Sequence, residues 1–168
     1  SKWRCVLPDA NNPANVFPAS APTLAFANNT AKANMVGMTW DGSPDGALAN
    51  NPRNPADRLL VTSHYTPPSR PVMANLSVYK SRAAAIYTRG QTMEMRNLML
   101  SDNRIGLFAA YNQVVNGGLI LARGKSFHPT EIYYSRDIVG VRVYDGPFDM
   151  RDVDFVNFQA FTQNGKTY

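Results

Sequence analysis

Thirteen residues, Arg96 to Phe108, constrain the chain more than any other stretch. Leu98 and Leu100 alternate with polar neighbours as on a strand with one buried face, Asp102 and Asn103 signal a turn, and Ile105-Gly106-Leu107-Phe108 opens a second short strand. The unit recurs. Leu76 and Val78 lead through Lys80, Ser81 and Arg82 to Ala85-Ile86-Tyr87, with Leu76 lying 22 residues before Leu98. Leu119 and Leu121, 21 residues after Leu98 and Leu100, are expected to fill the same places in the next unit. Val153 and Phe155 begin another, leading to Val156-Asn157-Phe158. Earlier, Leu24-Ala25-Phe26 leads through Asn28, Asn29 and Asn34 to Val36-Gly37-Met38, and the Asn34-to-Gly37 spacing returns in Asn103 to Gly106.

A period of about 20 to 25 residues made only of short strands and corners requires stacking, because each unit can bury its inward side chains only against the units above and below. We therefore read the chain as all-β and as part of a parallel β-helix, a solenoid, with an antiparallel β-sandwich as runner-up. Leucine-rich repeats share the period but need a Leu-x-x-Leu-x-Leu-x-x-Asn pattern, which no unit carries.

Residues 1–22, rich in Pro, Asn and Ala with Trp3 as an aromatic anchor, read as an irregular arm, and 23–168 as the β-helix segment. Two long loop excursions interrupt the segment, at 41–71 and 123–137. The first is crowded with proline and glycine yet holds the apolar run Leu59-Leu60-Val61; the second carries Lys125, His128, Glu131, Tyr133, Tyr134 and Arg136. Gly117-Gly118 permits a corner without a Cβ, and Ala109 to Gln113 reads as a short lateral link. Phe161 to Tyr168 has no recognisable cap, so further domains or partner chains are expected to cover the ends of the stack. Ser1 in place of an initiator Met, and no signal pattern over Ser1 to Asn12, fit a processed product or a piece of a longer protein.

The formal net charge of +5 favours an acidic partner, but the positive residues are scattered and no nucleic-acid motif accompanies them. Arg82 and Arg104 stand at equivalent places and would stack about 4.8 Å apart as a basic ladder. No apolar run reaches the length of a membrane span. Cys5, the single cysteine, either pairs outside this segment or stays a buried thiol. Asn28-Asn29-Thr30 and Asn75-Leu76-Ser77 are sequons, making Asn28 and Asn75 the candidate N-glycosylation sites.

Chemistry is thinly signalled. His64 and His128 lie far apart without metal-ligand spacing, and no phosphate-binding loop or nucleophile elbow occurs, so no metal or cofactor is expected. Glycoside hydrolysis usually needs two carboxylates flanking the sugar. Asp102 and Asp145 read as turn residues, and Asp149, Asp152 and Asp154 as an outward face on which Asp152 and Asp154 share one side of a strand. Tyr65, Tyr87, Tyr111, Tyr133, Tyr134 and Tyr144 each lie near a corner or excursion. A Tyr beside an Arg makes a flat apolar platform with a hydrogen-bonding tip, and Tyr133, Tyr134 and Arg136 are the expected glycan groove. Stacking of aromatics within the solenoid accounts for several of these tyrosines equally well.

The run Gly140-Val141-Arg142-Val143-Tyr144-Asp145-Gly146-Pro147-Phe148, followed by Val153-Asp154-Phe155-Val156-Asn157-Phe158, resembles a segment in the β-helical region of the cell-surface, cell-migration-inducing hyaluronidase family. Asn28 to Met38, Asp102 to Leu107 and Ile120 to Gly124 are similar to that family's coils, and fibrocystin-like surface proteins share this type of β-helix. The resemblance implies a right-handed β-helix in a secreted or cell-surface glycoprotein that meets an anionic or neutral polysaccharide such as hyaluronan. An eight-glycine domain tied to activity precedes the β-helix in that family and has no counterpart in this sequence, so no catalytic residue carries over. The expectation is a module that scaffolds or binds carbohydrate within a larger protein. The alternatives are a purely structural module of a surface assembly and a hyaluronan-degrading glycosidase.

Overall fold

The computed structural model describes residues 26–40, 69–90, 92–124, 138–160, 162–163 and 166–167. Every regular element among them is a β-strand, and among these described residues no helix is long and apolar enough to cross a membrane. The strands fall into successive repeats. β1 (Phe26–Ala27), β2 (Thr30–Lys32) and β3 (Val36–Trp40) form the first, and β4 (Val72–Ala74), β5 (Ser77–Tyr79) and β6 (Ala84–Thr88) the second. In the third, β7 (Glu94–Ser101) fills two strand positions and β8 (Ile105–Ala110) the last; β9 (Gln113–Leu121) and β10 (Val139–Asp145) repeat that plan, and β11 (Phe148–Val156) opens the fifth. β12 (Thr162–Gln163) and β13 (Lys166–Thr167) form a small separate antiparallel pair.

All ladders between repeats are parallel. One sheet runs β3-β6-β8-β10, and the other joins the remaining repeat strands, with β7 pairing β4 along its first half, β5 along its second and β9 throughout. An antiparallel sandwich is therefore excluded for the described residues. The pairing resumes in register after both stretches expected to be excursions: β3 pairs β6 across the first, and β10 pairs β8 across the second.

Corners form where the backbone is forced into the left-handed region. Asn28, Asn75, Asn97, Gly117 and Asp152 occupy one register position in successive repeats, and each has positive φ. Asparagine bears this conformation at the least cost of any residue with a side chain, because its amide can bond locally. Here the amides bond to one another: Asn75 Nδ2 donates to Asn28 Oδ1 at 3.0 Å, and Asn97 Nδ2 to Asn75 Oδ1 at 3.2 Å. A second column follows a few residues on, with positive φ at Ala33, Lys80, Asp102 and Asn157. The N–H groups of Ala33, Lys80 and Asp102 donate to carbonyls of the following repeat, so corner and ladder satisfy the same backbone.

The core lies between the two sheets. Phe26, Met73, Met95, Val115 and Met150 form one inward column, Leu76 stands beside Leu98 in a second, and Val78, Leu100 and Ile120 make a third. The other sheet contributes Met38, Ile86, Leu107 and Val141. Gly37 and Gly106 hold equivalent positions, as their shared spacing from Asn34 and Asn103 implies, and a Cβ on Gly106 would lie 2.5 Å from the Gly140 carbonyl oxygen. Buried polar groups close the corners. Asn103 Oδ1 accepts the Ser81 N–H, and its Nδ2 donates to Val78 O. Gln113 accepts from Ala110 N and donates to Gly90 O at 2.6 Å.

Three local expectations need correction. Leu98 pairs with Gly118 and Leu100 with Ile120, so Leu119 and Leu121 are displaced by one residue from the expected register and are only half-buried. A slip of one residue exchanges the faces of a strand, and Ile120 is the inward residue. Ala109 and Ala110 belong to β8, leaving a corner of only Tyr111 and Asn112, both at positive φ. Asp152, in the left-handed column, breaks the alternation that was to put it on one face with Asp154.

Candidate functional site

The outward face of the β3-β6-β8-β10 sheet brings together three aromatic residues, Tyr87, Phe108 and Tyr144. Thr39, Tyr87, Phe108 and Arg142 occupy one register position across its four strands. Tyr87 stacks on Phe108 with ring centroids 4.8 Å apart and 28° between planes, a separation close to that of neighbouring strands. Tyr144 extends this row. The register shifts between Val143 and Asp145, which pair with consecutive residues of β8, so Tyr144 is the extra residue of a bulge. Its ring lies 5.7 Å from Phe108 at 30°, and the residue is 62% exposed. Arg89 reaches over Tyr87 at 5.9 Å, and exposed Arg142 flanks Tyr144 in sequence.

The rings differ in what they can do. Tyr87 and Phe108 spend their faces on each other and serve the stack first. Tyr144 rests on Phe108 and leaves most of its surface to solvent, with its hydroxyl and the Arg142 guanidinium available to a polar ligand. An exposed apolar ring with a hydroxyl, and an exposed arginine two residues away on the same strand, suit a sugar ring bearing hydroxyl or carboxylate groups.

Other expected residues are dispersed. Tyr133, Tyr134 and Arg136 lie outside the described residues, as do Tyr65, His64, His128 and Cys5. Arg82 and Arg104 do stand at consecutive positions, with Arg104 N–H donating to Ser81 O. Their side chains differ in setting: Arg82 is exposed, whereas Arg104 is half-buried and its Nε has no hydrogen-bond partner. Met35 and Ile138 continue that position, which limits the basic ladder to two residues. Asn28 and Asn75, the sequon residues, are the first two members of the asparagine ladder. Tyr111 sits at a corner, with its backbone against Gly146.

Three of the described carboxylates have structural partners. Asp102 is buried and accepts the Gly124 N–H at 2.5 Å; Asp149 is ion-paired with Arg151. Glu94 accepts from Arg96 Nε at 2.6 Å, and this bond holds its carboxyl below the ordinary value of 4.5 against a smaller opposing effect of burial. Among the described residues no group of three or more His, Cys, Asp or Glu could hold a metal ion. A shallow depression of about 300 Å³ lies at the last corner, lined by Ala122, Arg123, Ile138, Asn157 and Phe158, with the Arg123 guanidinium bonded to Gln159 O.

Sequence reasoning named Tyr87 and Tyr144 but missed Phe108 and Arg142, because it did not align β8 with β6 and β10, the pairing that brings them to one register position. Asn97 escaped notice because it is not in a sequon, although Asn75-Leu76 and Asn97-Leu98 recur at 22 residues. No protein-family profile, curated protein or solved structure matches the chain.

Proposed function

We propose that the chain is a right-handed parallel β-helix module of a secreted or cell-surface protein, and that it binds or scaffolds carbohydrate. Parallel repeats with two left-handed corner columns support the coiled architecture. The likeness of Gly140 to Phe158 to hyaluronidase β-helices supports the surface location and the polysaccharide ligand. The observation that carries the binding reading is Tyr144, held on a bulge above Phe108 and beside Arg142 with most of its surface open.

Incubation of the chain with hyaluronan and with a neutral polysaccharide tests this, following both binding and polymer length. Binding without shortening is the expected result. Tyr144→Ala should weaken it about three- to tenfold, from the loss of one aromatic contact worth about 1 kcal/mol. Undiminished binding by that variant would remove the site from this face, and shortening of the polymer would make the chain a glycosidase. A purely structural role is the second reading, favoured by the exposed apolar residues of the last repeat.

A further inference from the structure

The inward columns end abruptly at the last repeat. Val78, Leu100 and Ile120 are 0%, 1% and 2% exposed, whereas Phe155, next in the same register, is 49% exposed. Among the described residues, β10 and β11 have a paired neighbour on one side only, and so do β1, β2 and β3 at the opposite end.

The two ends are complementary. At the corners, N–H groups donate to the residue preceding the corner of the following repeat: Asn28 to Ala74, Asn75 to Arg96, Ala33 to Tyr79. By the same pattern the Asp152 N–H points off the last repeat, and the Ala27 carbonyl, which also accepts from Asn29 Nδ2 at 2.9 Å, points off the first. The asparagine ladder runs the opposite way, each Nδ2 donating to the Oδ1 of the preceding repeat, so the Asn28 amide directs its N–H groups off the first repeat. Asp152 ends that column with a carboxylate, the acceptor those groups require. In the inward column, Phe155 is large and Ala31, at the other end, is small.

We propose that the last repeat docks the first repeat of a second copy of this chain, head to tail, continuing both sheets in parallel register. The interface is heterologous, so copies add to an open chain. The proposal rests on the stacked repeats and is independent of glycan binding.

Two variants block one end each. Phe155→Lys puts a charge on the last repeat. Thr30→Pro removes an N–H from the first repeat whose equivalents, at Ser77 and Met99, donate to the preceding repeat. Sedimentation velocity on the full chain without glycan, over about a hundredfold range of concentration, should show wild-type mass rising with concentration. Each variant, checked for cooperative unfolding, should remain monomeric, and a mixture of the two should form a one-to-one dimer and nothing larger. A folded wild type that stays monomeric would show that these ends are covered by other means and overturn the proposal, while leaving the stacked repeats and glycan binding standing. Oligomers that persist in both variants, or a mixture that stays monomeric, would overturn it as well.

Discussion

The third repeat and the last share a register but not an environment. Leu100 and Phe155 stand in one column, yet the leucine is enclosed and the larger phenylalanine is half-exposed. Strand sequence alone does not bury a residue in this architecture. Neighbouring repeats do, which is why stability should follow position in the stack more closely than side-chain size.

The largest effect should come from breaking that contrast directly. Leu100→Ala is expected to cost about 2–5 kcal/mol in denaturant unfolding, and Phe155→Ala, measured on dilute protein, about 1 kcal/mol or less. Equal losses would mean that the last repeat is as enclosed as the third. Asn103→Ala leaves the buried Ser81 N–H without its acceptor and should cost about 1–3 kcal/mol. At the exposed corner, Asn97→Ala must keep a left-handed backbone and gives up the ladder bond, so a loss of about 1–2 kcal/mol is expected, with Asn97→Gly milder because glycine accepts that φ freely.

The smallest effect lies on the charged outer face. Because the Glu94 carboxyl is held below its ordinary value, its contribution is present above pH 4.5 and is lost as pH falls through the lowered value. Glu94→Gln should therefore lower Tm by no more than about 1 °C near neutrality, and the difference from wild type should vanish in acid. A difference that grew on acidification would reverse the assigned sign.

Much of the stack was legible because its rules are local. The 22-residue return of Leu76 at Leu98, and the shared spacing from Asn34 to Gly37 and from Asn103 to Gly106, marked repeats whose equivalence the ladders bear out. The slip at Leu119 arose because the third and fourth repeats are offset by fewer residues than the second and third, and two apolar residues flanking Ile120 made the wrong alternation look regular. The aromatic row was harder to read. Tyr144 reaches Phe108 through a bulge, a backbone event that depends on the strand beside it and leaves no pattern in β10 itself.

Parallel stacking in this register is tested most directly by proximity in solution. In a Cys5→Ser background, cysteines replacing Ser77 and Met99 should be joined efficiently by a short thiol-reactive cross-linker, since the two residues are paired neighbours on one outward face. Cysteines at Ser77 and Leu100 should be joined poorly, because Leu100 faces inward. Efficient joining of the first pair alone is the result predicted by the stacked parallel repeats; no joining of that pair, or equal joining of both, would contradict them.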